Sequence, residues 1–110
     1  MLGTGAIIVM NEDTCIVWAT LNLSEFYKHE SCGKCTPCRE GTFWMVDLLT
    51  ALEHGQGQPG DTDKLYEMAS NIDGRTFCAL GDAAAQPVKS SITHFREEYE
   101  YHIANRRCMV

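Results

Sequence analysis

Basic residues are scarce in this chain: nine lysines and arginines stand against fifteen aspartates and glutamates, for a formal charge of −6. A surface of that sign has no means of its own to hold nucleic acid or an anionic lipid face. Long apolar runs are missing too, and none approaches the roughly 20 residues of a membrane-spanning helix. No direct membrane insertion is therefore expected, and the first residues lack the basic-then-apolar pattern of a secretory signal. There is no glycine-rich phosphate loop. Gly3-Thr4-Gly5 has no strand before it and no third glycine at the dinucleotide offset, so it reads as a tight turn. Nor is there a catalytic acid–base pair: His29, His54, His94 and His102 are scattered, with nothing pairing them to carboxylates at ligand spacing.

What the chain does have is cysteine, six in 110 residues. Three of them crowd one stretch, Glu30-Ser31-Cys32-Gly33-Lys34-Cys35-Thr36-Pro37-Cys38-Arg39-Glu40-Gly41. Crowding of that kind is an awkward disulfide framework and a natural metal loop. A fourth candidate, Cys78, follows downstream in Thr76-Phe77-Cys78-Ala79-Leu80-Gly81-Asp82. Four thiolates are what a [4Fe–4S] cubane needs, one per iron. Gly33 can take a positive φ and let the backbone approach an inorganic sulfide. Lys34 and Arg39 place positive charge beside an anionic cluster. Thr36 is expected as a helix N-cap with Pro37 at the first helical position, which puts Cys38 in the first turn, where a thiolate is favoured.

Two other chemistries compete. A structural zinc site also takes four cysteines, although such sites usually split into two close pairs, whereas here there are three plus one. Thiol–disulfide exchange at Cys32/Cys35 or Cys35/Cys38 normally wants a single Cys-x-x-Cys pair after a strand. The ferredoxin run fails as well, since Arg39-Glu40-Gly41-Thr42 supplies no fourth cysteine. Cys15 reads as a small core residue and Cys108 as part of a frayed tail. A fully thiolate-ligated [4Fe–4S] cluster has no open iron, so the cluster reading makes the chain an electron relay.

The periodicity predicts a mainly α fold, a four-helix bundle carrying the cysteine loop between its first two helices. Residues 1–12 read as the end of a preceding domain, with a turn and a short strand through Ile7-Ile8-Val9-Met10, and residues 13–110 as the helical unit. A strand so isolated points to a chain that begins partway into a longer protein. Helix one should be capped by Asp13 or Thr14 and run to about His29, with Ile16, Thr20, Leu23 and Tyr27 as its apolar stripe. Helix two should span Pro37 to about His54, burying Met45, Leu48, Leu49 and Leu52, with Phe43 and Trp44 adding bulk. Helix three, capped by Asp61 or Thr62, carries Leu65, Met68, Ala69 and Ile72 and stops at Asp73-Gly74. Gly81-Asp82 should turn the chain, and a last helix from about Pro87 to Ile103 should bury Val88, Ile92, Phe95, Tyr99 and Ile103. Short connections make the packing antiparallel.

The cysteine loop, the segment Gly74-Arg75-Thr76-Phe77-Cys78-Ala79-Leu80-Gly81-Asp82-Ala83-Ala84-Ala85-Gln86-Pro87-Val88 and the tail His94-Phe95-Arg96-Glu97-Glu98-Tyr99 together resemble a known family. It is the C-terminal iron–sulfur domain of the NADH- and FMN-binding subunit of respiratory complex I, and the opening Leu2-to-Met10 stretch is similar to the end of that subunit's β-grasp-like domain. The resemblance implies that Cys32, Cys35, Cys38 and Cys78 bind the first [4Fe–4S] cluster after the flavin. NADH would reduce FMN on an upstream domain absent from these residues, and electrons would pass singly through further clusters toward quinone. It implies as partners that upstream domain and neighbouring iron–sulfur subunits, and a location on the cytoplasmic side of the cell membrane or, in a eukaryote, the matrix side of the mitochondrial one. NAD-linked hydrogenases and formate dehydrogenases share the domain and remain alternatives, as does a zinc-stabilised interaction module.

Overall fold

The computed structural model describes residues 3–110. Four helices follow one another: α1 (Ile16–Glu30), α2 (Thr36–Glu53), α3 (Asp61–Ile72) and α4 (Ala79–Asn105). Each packs on its neighbour in the chain, α1 closes against α4, and α2 meets α4 across the centre while α1 and α3 stay apart. The core runs along that seam through Val17, Met45, Leu49, Leu52, Leu65, Ile72, Val88 and Tyr99, all essentially inaccessible. The mainly α bundle expected from periodicity is what the chain forms.

The expected N-terminal strand is absent among the described residues. A strand needs a partner for its backbone donors and acceptors, and the bundle offers none. Ile7, Ile8 and Val9 stand 88%, 73% and 90% exposed. The tight turn at residues 3–4 is present, and the Met1-Leu2 part of the expectation lies outside the described residues.

Several helix ends also differ from expectation. α1 is capped by Cys15, whose sulfur accepts from the Trp18 N–H at 3.4 Å. Asn11 to Thr14 instead form a turn, closed by the Thr14 N–H donating to the Asn11 carbonyl. A further orphan donor, the Ile16 N–H, is taken by the Glu98 carboxylate at 3.0 Å. The buried face of α1 is Val17, Thr20, Leu21 and Ser24. The expected stripe is rotated because Leu23 lies outward with Trp18 and Phe26. On α2, Phe43 and Trp44 are about half exposed and add little to the core. Gly60, in the left-handed region at φ 91°, precedes α3. Asp61 holds the preceding loop instead of capping, accepting from the Gln58 N–H and the Lys64 ammonium.

α4 departs most. Gly81 and Asp82 do not turn the chain but form the first turn of the helix, which starts eight residues before Pro87. Proline removes one N–H from the ladder; burial of Ala84, Ala85 and Val88 around it outweighs that loss. The helix bends at Phe95, whose φ of −132° and ψ of 33° are non-helical. The bend swings Phe95 outward, to 41% exposure, while Tyr99 beyond it is fully buried with its hydroxyl 2.7 Å from Ser91 Oγ.

Candidate functional site

The α1–α2 connection and the α3–α4 connection meet at one end of the bundle. Between them lies a cavity of about 100 Å³ lined by Cys32, Cys35, Cys38 and Cys78, with Ser31, Lys34 and Thr76 among its other walls. The two cysteine segments, far apart in sequence, are thus brought together. The Phe77 N–H donates to Cys35 Sγ at 3.4 Å, which ties one to the other. Cys38 is buried, Cys35 half-buried, and Cys32 and Cys78 exposed.

Helix starts account for this placement. Cys35, not Thr36, is the N-cap of α2, so Thr36 and Pro37 open the helix and Cys38 falls in its first turn. Cys78 is the N-cap of α4. Neither cysteine spends its sulfur on a capping hydrogen bond. Two helix N-termini therefore deliver sulfur to one cavity, with their free N–H groups and positive dipole ends beside it. Such ends favour thiolates over thiols.

The loop between Ser31 and Arg39 is held in shape by its own polar groups. Gly33 takes φ +79°, as expected, a conformation that costs any other L-residue. The Arg39 guanidinium donates to the Gly33 carbonyl at 2.6 Å and to Glu40 at 2.9 Å, so it braces the loop and its charge is shared. Ser31 Oγ accepts from the Gly33 N–H and lies 3.3 Å from Cys38 Sγ. A thiolate only accepts, so the Ser31 hydroxyl hydrogen points to that sulfur once Cys38 is ionised. On the other segment, a Cβ at Gly81 would strike the Thr76 side chain. Thr76 itself donates to the Cys78 carbonyl, and the Gly74 N–H donates to Asp82 at 2.7 Å.

Among the described residues, no three of these four cysteines bring their sulfurs within 4.8 Å of one another. Around a single zinc ion, with Zn–S near 2.3 Å, sulfurs sit about 3.8 Å apart. A wider set suits a polynuclear centre in which each sulfur binds its own iron. The donor set, the cavity and the helix ends all fit an iron–sulfur cubane.

A second constellation lies at the opposite end, and sequence reasoning missed it. Cys15 Sγ, His102 Nε2 and Cys108 Sγ fall within 4.8 Å of one another. His102 Nε2 is 3.5 Å from Cys15 Sγ and 3.5 Å from the Glu53 carboxylate, so one histidine does face a carboxylate. Burial pushes the Cys15 thiol up to about 12. Cys108 is not in a frayed tail; it packs half-buried against the core. Antiparallel topology was the available signal. It puts the start of α1 and the end of α4 at one end, and both leftover cysteines flank those points.

The sequence matches the family described as the NADH-ubiquinone oxidoreductase-F iron-sulfur binding region over residues 18–102. It is 59% identical over 108 residues to the NADH-quinone oxidoreductase F subunit of Streptomyces coelicolor, covering 98% of this chain and 24% of that protein. It is 54% identical over 102 residues to the mitochondrial NADH dehydrogenase [ubiquinone] flavoprotein 1 of Dictyostelium discoideum, covering 93% of this chain and 21% of that one. The chain thus spans about a quarter of the length of the curated relatives it matches. Among solved structures, an NAD+-reducing [NiFe]-hydrogenase superposes with a TM-score of 0.81 at 29% identity, over 86% of this chain and 17% of that one. With the cysteine pattern, the helical fold and these matches in agreement, the chain belongs to the NADH-ubiquinone oxidoreductase-F iron–sulfur binding family.

Proposed function

We propose that Cys32, Cys35, Cys38 and Cys78 hold a [4Fe–4S] cluster, and that the chain is a one-electron relay in an NADH:quinone oxidoreductase. Electrons would come from FMN, reduced by NADH on an upstream domain, and leave toward quinone through neighbouring iron–sulfur subunits. One observation carries this reading: four cysteines from two distant segments line a single cavity at the start of two helices. When bound, the cluster supplies reversible transfer of single electrons with no iron open to substrate. The protein's part is electrostatic. The ends of α2 and α4, the Phe77 N–H and the Ser31 hydroxyl all set positive density against sulfur, and Lys34 stands at the cavity wall. Hydrogen bonds of this kind stabilise the more negative, reduced state.

Residues 1–12 fit the close of a preceding β-grasp-like domain, which would cover the exposed Ile7, Ile8 and Val9, with residues 13–110 as the cluster unit. Among the described residues no helix is long and apolar enough to cross a membrane. As part of such a complex, the relay would stand on the cytoplasmic side of the membrane or, in a mitochondrion, on the matrix side. The likeness to the hydrogenase supports a second reading, the same relay in an NAD-linked hydrogenase; identity of 59% against 29% favours the quinone-linked complex.

Anaerobic reconstitution with iron and sulfide tests the ligand set. The expected product is a brown protein with four irons per chain and, after reduction, the EPR signal of a one-electron-reduced [4Fe–4S] centre. Cys78→Ser should lose or convert that signal. A colourless chain that takes up a single zinc at these cysteines would overturn the proposal.

A further inference from the structure

We propose that Cys15, Glu53, His102 and Cys108 form a second metal site, built for zinc(II) or a cation of similar softness and size. The four donors come from four places: the N-cap of α1, the last residue of α2, the last turn of α4 and the segment after it. His102 is wholly inaccessible and Cys15 is 9% exposed, so both donors are out of water.

The spacing is that of ligands around one small ion. Zinc with S, N and O ligands at about 2.3, 2.05 and 2.1 Å in a tetrahedron has S···N, N···O and S···O edges of about 3.6, 3.4 and 3.6 Å. The corresponding separations here are 3.5 Å for Cys15 to His102, 3.5 Å for His102 to Glu53 and 3.8 Å for Cys15 to Glu53. Cys108 Sγ lies within 4.8 Å of the Cys15 and His102 donors, and Glu53, outside that trio, would join as the fourth ligand on binding.

The histidine is also set up for the role. Its Nδ1 lies 2.7 Å from the Glu98 carbonyl oxygen, which can only accept. Nδ1 therefore carries a hydrogen, and in the neutral ring the Nε2 lone pair is aimed at Glu53 and Cys15. This is the outer-shell arrangement that fixes a metal-ligating imidazole. The Cys15 thiol hydrogen can reach only one of these two acceptors at a time, the Glu53 carboxylate or the Nε2 lone pair. A divalent ion among the donors satisfies both. On binding, each thiol gives its proton to solvent; the two thiolates and one carboxylate then leave the centre at −1. Mixed sulfur and imidazole donors select zinc or cobalt over magnesium or calcium. The ion would clip α1, α2 and α4 together and would carry no electrons.

This site does not depend on the cluster assignment. Cobalt(II) is the probe, titrated anaerobically into the chain with its cluster already reconstituted. One cobalt per chain is expected, with thiolate-to-cobalt charge transfer and the strong d–d bands of a tetrahedral centre, displaced by equimolar zinc. Cys108→Ala, outside any helix, should weaken cobalt binding by at least about 100-fold, since losing an outer-shell partner alone costs 10–100-fold. The serine variant of all four cluster cysteines should keep the same bands. No tetrahedral cobalt in the parent chain, bands unchanged by Cys108→Ala, or a Cys15–Cys108 disulfide in anaerobically purified protein would each overturn the proposal.

Discussion

The two ends of the bundle use the same side chain in opposite ways. At one, Cys35 and Cys78 sit on the N-termini of α2 and α4, and two of the four thiols are open to solvent. At the other, about 26 Å away along α2, Cys15 is enclosed by Glu53, His102 and Cys108. Free N–H groups of two helix starts stand beside the first set. Burial surrounds the second, and the Cys15 thiol is pushed up to about 12. Since Cys15, Cys35 and Cys78 all stand at helix starts, the difference lies in how much water reaches the sulfur and in what encloses it.

Alkylation gives the largest contrast. In the metal-free chain near neutral pH, the solvent-open Cys32 and Cys78 should react many-fold faster than Cys15, which is buried and whose thiol is pushed up to about 12. The same thiol sets a pH dependence. An unfolded Cys15 ionises from about 9 upward while the folded one keeps its proton to about 12, so stability is full below that window and falls across it as pH rises. Cys15→Ala should flatten this decline in urea melts at stepped pH. Comparable alkylation rates, or an unchanged slope, would erase the distinction between the ends.

The two ends should fail together when the middle is loosened. Leu49 is fully buried on α2 between them, and Leu49→Ala should cost about 3 kcal/mol in urea unfolding. It should speed both Cys15 alkylation and cluster loss; an effect on one end only would show that they unfold independently. Backbone strain offers a smaller, paired test. Gly33→Ala at the cluster loop should destabilise by about 1–2 kcal/mol, because φ is +79°. Arg106→Gly at the far end, where φ is 55°, should stabilise by about 0.5–1 kcal/mol. Smallest is Ser31→Ala, which removes a donor to Cys38 and should lower the cluster's reduction potential by on the order of tens of mV. Cys108→Ala should leave that potential alone.

The cluster end was legible because its signal is local. Cys32, Cys35 and Cys38 announce themselves by spacing, and Cys78 follows the breaker Asp73-Gly74. The far end was hidden because its parts are 87 positions apart, from Cys15 to His102, and only packing unites them. The buried faces of α2 and α3 followed periodicity. That of α1 did not, since Trp18, Leu23 and Phe26 give it apolar residues on a second side. α4 misled twice. Pro87 is a helix-start residue that here sits inside a helix, and no glycine or proline marks the bend at Phe95. Tertiary contacts decided both.

With Cys35 and Cys78 as ligands, the residues that begin α2 and α4 are also the ones that grip iron. Cofactor loading and the setting of two helix starts then become a single event. An unloaded chain would have only the loops' own hydrogen bonds to hold those two starts, and a protease testing that corner would be inspecting the cofactor without touching it.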